Sequence, residues 1–199
     1  MRVAARKPGR PRDEALGTAI LDAAVDEFID KGYAGLSMEG IAARAGVAKT
    51  TIYRRWPTME DLAVAAVCSL GKDEDEPLPA GDTARGELLQ LLEQMRRKWT
   101  DPRYGALMRR AAADGTRQPE VYAQMRERIV GSGIAAMNRA LARAVDEGII
   151  GKGVDLTWVR QLLTAPILAA TLTLKHRVSA RQIEFTLDTV LAGLVPEPS

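Results

Sequence analysis

Apolar residues recur at helical spacing along nearly the whole chain. Leu16, Ile20, Ala23, Ala24 and Phe28 fall on one stripe of a helix predicted over residues 13–31, which Gly32 stops. Ser37 caps a short helix over 38–45, Gly46 breaks it, and a second short helix runs over 49–56 until Pro57 ends it. Thr58 followed by Asp61 is a loose capping box, and it opens a helix carrying Leu62, Ala65, Ala66, Ser69 and Leu70. The same period returns at Leu88, Leu91, Leu92, Met95 and Trp99, in a short segment over 103–113, and from Tyr122 to Val145. Of two closing helices, the one over 155–177 is apolar nearly all round, with Pro166 expected to kink it; the other carries Ile183, Leu187, Val190, Leu191 and Leu194. No segment alternates as a strand does.

Composition narrows the class. With 199 residues of which 46% are apolar, the chain can bury a real core. It has no apolar run long enough to cross a bilayer, and the basic, Pro- and Gly-containing N-terminus lacks the apolar centre of a signal peptide, so the cytoplasm is the expected location. One cysteine, Cys68, and one histidine, His176, leave neither an internal disulfide nor a metal-ligand cluster to expect. Cys68 reads as a small core residue, and His176 as a surface or helix-end residue. No catalytic residues, metal or cofactor are expected: there is no nucleophile with a placed base and no phosphate-binding glycine loop, so an enzyme is disfavoured.

The formal charge of +2 matters less than its distribution. Arg2, Arg6, Lys7, Arg10 and Arg12 precede the first acid, Asp13, whereas Asp73, Glu74, Asp75, Glu76 and Asp82 surround Pro77 and Pro79. The first run is a basic, disordered arm of the kind that meets polyanions, and the second is a solvated linker. Four parts are therefore expected: an arm over 1–12, a small helical domain over 13–57, a connecting helix and acidic linker over 58–82, and a larger helical domain over 83–199.

Two short helices with a tight turn between them meet the demands of a helix-turn-helix. Ala42 lets the helices approach, Gly46 can take a positive φ, and Ile41, Val47 and Ile52 fill the space beneath the crossing. The second helix can then show Lys49, Thr50, Thr51, Tyr53 and Arg54 outward. Hydroxyls, a phenol and cations in that pattern suit a major groove and its phosphates. A hairpin with a merely solvated face would make poor use of threonine and tyrosine, which are modest helix formers.

The run "IAARAGVAKTTIYRRWPTMEDL" resembles the signature of the TetR family of transcriptional regulators, and the resemblance extends from about Asp13 to Leu70. It implies an all-α fold: an N-terminal three-helix helix-turn-helix domain followed by a helical domain that binds a ligand and dimerises. It implies DNA contacts from Thr51 and Tyr53, flanked by Thr50 and Arg54, with Arg55 where a phosphate-contacting histidine is common and Trp56 as the aromatic that locks the recognition helix. Ser37, Lys49 and Thr58 complete the DNA-binding set. Met59 departs from the pattern, standing where many members carry a lysine, and Glu39 must accept from a cytosine amino group or point away.

Ahead of that match, "RKPGRPR" at residues 6–12 is similar to an AT-hook, with Arg10 the candidate for insertion in an A·T-rich minor groove; a loose arm that only attracts phosphates is the alternative. For the C-terminal domain the resemblance implies a homodimer through the last two helices, with Leu162, Leu163, Ile167, Leu168, Leu172, Ile183, Leu187, Val190 and Leu194 offered to the bundle. It also implies a small-molecule effector, unnamed by the sequence, in an apolar pocket lined from Met95, Trp99, Tyr104, Leu107, Met108, Tyr122, Met125 and Ile129, although core packing accounts better for any single one of them. The expected function is that of a sequence-specific DNA-binding regulator, a repressor released from double-stranded operator DNA by that effector. The competing class is an architectural DNA-binding protein without effector control.

Overall fold

The computed structural model describes residues 10–70, 81–115, 119–174 and 177–194, excepting the side chains of residues 10–12, 119–122, 124–126, 128–129 and 174. Among these residues all regular structure is helical. The chain divides between Leu70 and Gly71 into two compact units.

The first unit holds α1 (Arg10–Lys31), a 3₁₀ turn (Tyr33–Gly35), α2 (Met38–Ala45), α3 (Lys49–Tyr53) and α4 (Met59–Leu70). Helix α1 packs on both α2 and α4. The predicted stripe is the one buried: Ile20, Ala23 and Ala24 meet Ile41, Ile52 and Leu62 in one core. Helix α4 thus contributes to the first unit's own core and is more than a connector.

Helix ends follow local chemistry. The Ser37 hydroxyl accepts from the Gly40 amide at 3.0 Å, and the Thr58 hydroxyl accepts from Asp61 N at 3.0 Å while donating to its carboxylate at 2.7 Å. Each satisfies an amide that the first helical turn leaves unpaired. Helix α1 starts at Arg10, ahead of the expected residue 13, because Pro11 is preset for a first helical turn and Asp13 favours that end of the dipole. The backbone at Arg10 is therefore helical, where a minor-groove hook needs an extended chain; its side chain and residues 1–9 lie outside the described residues.

Glu27 is 2% exposed, forming ion pairs with Lys31 and, at 3.4 Å, with Arg44. Gly40 makes room for it: a Cβ there would lie 2.3 Å from Glu27 Oε1 and 2.9 Å from Ser37 Oγ. The carboxylate cannot swing aside without giving up its cations in a buried setting. Gly40→Val is accordingly expected to destabilise the first unit by about 3 kcal/mol, the upper range for overpacking. In thermal melting of the full chain its transition should fall by roughly 10 °C or more; an unchanged melt would show that the carboxylate relaxes freely.

The second unit comprises α5 (Ala84–Thr100), α6 (Pro102–Asp114), α7 (Pro119–Asp146), α8 (Leu156–Ala169) and α9 (Ala180–Ala192). Leu88, Leu92, Leu141, Leu163, Ile167 and Leu187 share its core. Thr83, Asp101, Asp155 and Ser179 cap α5, α6, α8 and α9, the last through a full capping box with Gln182. Arg143 of α7 ties down the entry to α5, donating to the carbonyls of Gly81 at 2.8 Å and Asp82 at 2.6 Å. Pro166 lies within α8, which passes into a π-helical turn at Ala170–Leu174.

The predicted 155–177 helix thus ends early, and only part of its apolar surface is free. Leu163, Ile167, Ile183 and Leu187 lie in the chain's own core and are not available to a partner. Trp158 and Leu162 on α8 and Phe185 on α9 are instead the exposed large apolar residues, at 58%, 40% and 72%. Periodicity marks a helix as apolar; it does not say which of its sides meets its own chain. None of the helices, among the described residues, is long and apolar enough to cross a membrane.

Candidate nucleic-acid interface

The turn between α2 and α3 is made by Gly46, at φ 68° and ψ 32°, a left-handed conformation that a residue with a Cβ adopts at a cost. Its neighbour Val47 donates from N to Ala42 O at 3.0 Å, which closes the end of α2. Ile52 is fully buried beneath the crossing. With that side anchored, the opposite side of α3 faces solvent: Lys49, Thr50 and Arg54 are exposed, Tyr53 is 50% exposed and Thr51 is half-buried.

Helix α3 is shorter than its predicted span of 49–56. It ends at Tyr53, and Arg54 and Arg55 form a turn whose amides still reach Thr50 O at 3.2 Å and Ile52 O at 2.9 Å. Trp56 packs half-buried against the first unit's core, and so does Met59, whose apolar side chain is spent on packing where a lysine would reach outward. Pro57 then separates the turn from α4.

The cations of the motif are not equivalent. Arg55 bends back to α1, donating to the Asp13 carbonyl at 2.8 Å and forming an ion pair with its carboxylate. Gly17 lies beside this guanidinium, which would make an ordinary contact, at 3.4 Å, with a Cβ there. Arg44 pairs with Asp30 at 2.7 Å, which holds its guanidinium above the usual arginine value mainly through that hydrogen bond. Lys49 is hydrogen-bonded and ion-paired to Glu39 of α2. Arg54 has no acidic partner among the described residues.

Of the expected DNA-binding set, the structure brings Lys49, Thr50, Thr51, Tyr53 and Arg54 together on one short helix and turn. It turns Arg55 toward α1 and commits the Ser37 and Thr58 hydroxyls to capping. The pairings of Asp13, Asp30 and Glu39 with these cations were not legible in the sequence, because pairing across helices has no signature in spacing along the chain.

In the second unit, Trp99 and Tyr104 meet edge to face, 5.7 Å between centroids, and the Lys98 ammonium lies 5.1 Å from the Tyr104 ring centre. Met108 is buried one turn beyond Tyr104, while Met95 and Trp99 are partly buried against the core. Thr171 of the π-helical turn donates to Trp99 O at 3.4 Å, and Arg109 donates to Thr171 O at 3.4 Å. Tyr122, Met125 and Ile129 lie on α7, with side chains outside the described residues.

A buried crossing that holds one face of a short helix toward solvent, preceding a separate helical unit, defines a helix-turn-helix regulator of transcription. Residues 20–66 match the model for bacterial regulatory proteins of the tetR family, and residues 78–190 match the model for a tetracyclin repressor-like C-terminal domain. The chain belongs to the TetR family; it is a DNA-binding transcriptional regulator and not an enzyme.

It is 30% identical over 188 residues to the DNA-binding transcriptional repressor TetR of Mycobacteroides abscessus, covering 92% of this chain and 96% of that one. Among solved structures it is similar to Salmonella enterica GusR, with TM-score 0.71 and 26% identity over 96% of this chain and 99% of that one. It is also similar to FadR of Bacillus subtilis in complex with stearoyl-CoA, with TM-score 0.70 and 21% identity over 89% of this chain and 98% of that one.

Proposed function

We propose that this protein is a homodimeric repressor that binds operator DNA sequence-specifically and releases it when a small, largely apolar effector enters the second unit. The observation that carries the DNA reading is the division of α3, with Ile52 fully buried and Thr50, Tyr53 and Arg54 turned to solvent. In this reading Thr51 and Tyr53 supply hydrogen bonds to base edges and phosphates, Arg54 supplies charge, and the basic residues ahead of Asp13 add phosphate attraction. Two-fold symmetry would bring a second α3 to a half-site about one helical turn away. The exposed Trp158, Leu162 and Phe185 support α8 and α9 as the surface that joins the protomers.

The effector reading rests on the aromatic and methionine residues of α5 and α6 and on the family's C-terminal domain. FadR, with a stearoyl-CoA bound, is a case in which this fold accommodates a long apolar chain.

Footprinting on DNA flanking the protein's own gene would locate the operator. Small apolar molecules are then titrated against the complex. A hundredfold loss of operator affinity corresponds to about 2.7 kcal/mol of coupling. By linkage, saturating operator must weaken the same molecule's binding by the same factor. A ligand that binds tightly and is indifferent to operator would favour the architectural reading without effector control.

A further inference from the structure

We propose that Glu39 restrains nonspecific DNA binding by holding Lys49, so that this lysine, at the start of the recognition helix, does not serve as a phosphate ligand. The inference rests on α3 being the DNA-facing helix. Glu39 is the second residue of α2 and Lys49 the first of α3, and their side chains join across the motif by a hydrogen bond and ion pair. Both are exposed, so DNA meeting α3 meets a neutral pair at Lys49.

A phosphate approaching the ammonium has to displace a carboxylate tethered beside it, and that carboxylate repels the phosphate. The electrostatics of the isolated pair agree. Its hydrogen bond to Lys49 holds the Glu39 carboxyl below the usual glutamate value, and the same bond holds the Lys49 ammonium above the usual lysine value, so both stay charged at neutral pH.

The rest of the motif makes this pairing consequential. Arg44 is held by Asp30 and Glu27, and Arg55 by Asp13, which leaves Arg54 as the cation between residues 37 and 58 without an acidic partner among the described residues. Nonspecific affinity is almost wholly the sum of phosphate contacts, each steepening the fall of log affinity with log salt by about 0.9. Keeping Lys49 occupied lowers that sum while the hydroxyls and the phenol, which carry no charge and depend on close fit, are left free.

The test uses the full chain and a short duplex of arbitrary sequence, titrated across a salt series, with the wild type, Glu39→Gln and the double variant Glu39→Gln/Lys49→Met. An exposed ion pair contributes little to stability, so all three should fold, as circular dichroism would verify. Glu39→Gln is expected to bind the arbitrary duplex several-fold more tightly at low salt and to steepen the slope by about one. The double variant is expected to return to the wild-type slope.

The proposal is overturned if Glu39→Gln leaves the slope unchanged while the double variant loses about one unit, since Lys49 would then already bind phosphate. It is equally overturned if Glu39→Gln weakens binding tenfold or more only at one base pair of the footprinted operator, since Glu39 would then be reading a cytosine amino group. Because the slopes are read on arbitrary DNA, they stand whether or not a preferred operator is found. Failure of the sequence-specific reading would show separately, as equal affinity of the wild type for every duplex.

Discussion

Phe185→Asp combined with Leu162→Asp is expected to convert the protein into a folded monomer whose operator affinity is at least a hundredfold lower. Both side chains point away from the core of their own unit: α9 buries Ile183, Leu187 and Leu191 on its inner side, and α8 buries Val159, Leu163 and Ile167. With Phe185 72% and Leu162 40% exposed in the single chain, substitution costs the protomer little. In a two-fold interface each carboxylate would appear twice in a desolvated apolar patch without a cation, which costs several kcal/mol. Loss of the dimer removes the tethering of the second recognition helix, and with it an avidity of about 10²–10⁴. Sedimentation would read the assembly and operator titration the affinity. A dimer that survives both substitutions would mean that the protomers join through another surface.

The second large effect is expected at the recognition helix. Tyr53→Phe removes one hydroxyl and nothing from the core, since half of this side chain is already in solvent. A hydrogen bond to a charged phosphate contributes about 1.5–3 kcal/mol, so operator affinity should fall by roughly 10- to 150-fold. Thr51→Ala should lose a similar amount. Arbitrary DNA should respond less, since much of its affinity comes from charge that neither residue carries. Wild-type operator affinity in both variants, with an unchanged melting curve, would show that α3 is not the reading element.

What could be read from residue order alone was whatever depends on near neighbours. Helical stripes, the Ser37 and Thr58 caps, the Gly46 turn and the buried Ile52 are all set within a few residues, by spacing, by unpaired amides and by the freedom of a glycine backbone. The family signature in residues 41–62 condenses these same constraints, which is why it was legible. Its reach stops at partnerships between distant segments.

The sequence by itself determined that the chain is helical, where a helix-turn-helix lies, and that Lys49, Thr50, Thr51, Tyr53 and Arg54 are the polar residues its second helix offers. Only the tertiary structure decided that Arg55 turns back to Asp13, that Lys49 is taken by Glu39, that α4 completes the first unit's core, and that Phe185 and Leu162, rather than Leu187 and Leu163, are left uncovered. Periodicity repeats within one element and is visible in order along the chain. Which charge meets which, and which apolar side is already covered, is settled when separate helices pack, and a residue's own neighbours in sequence carry no record of that.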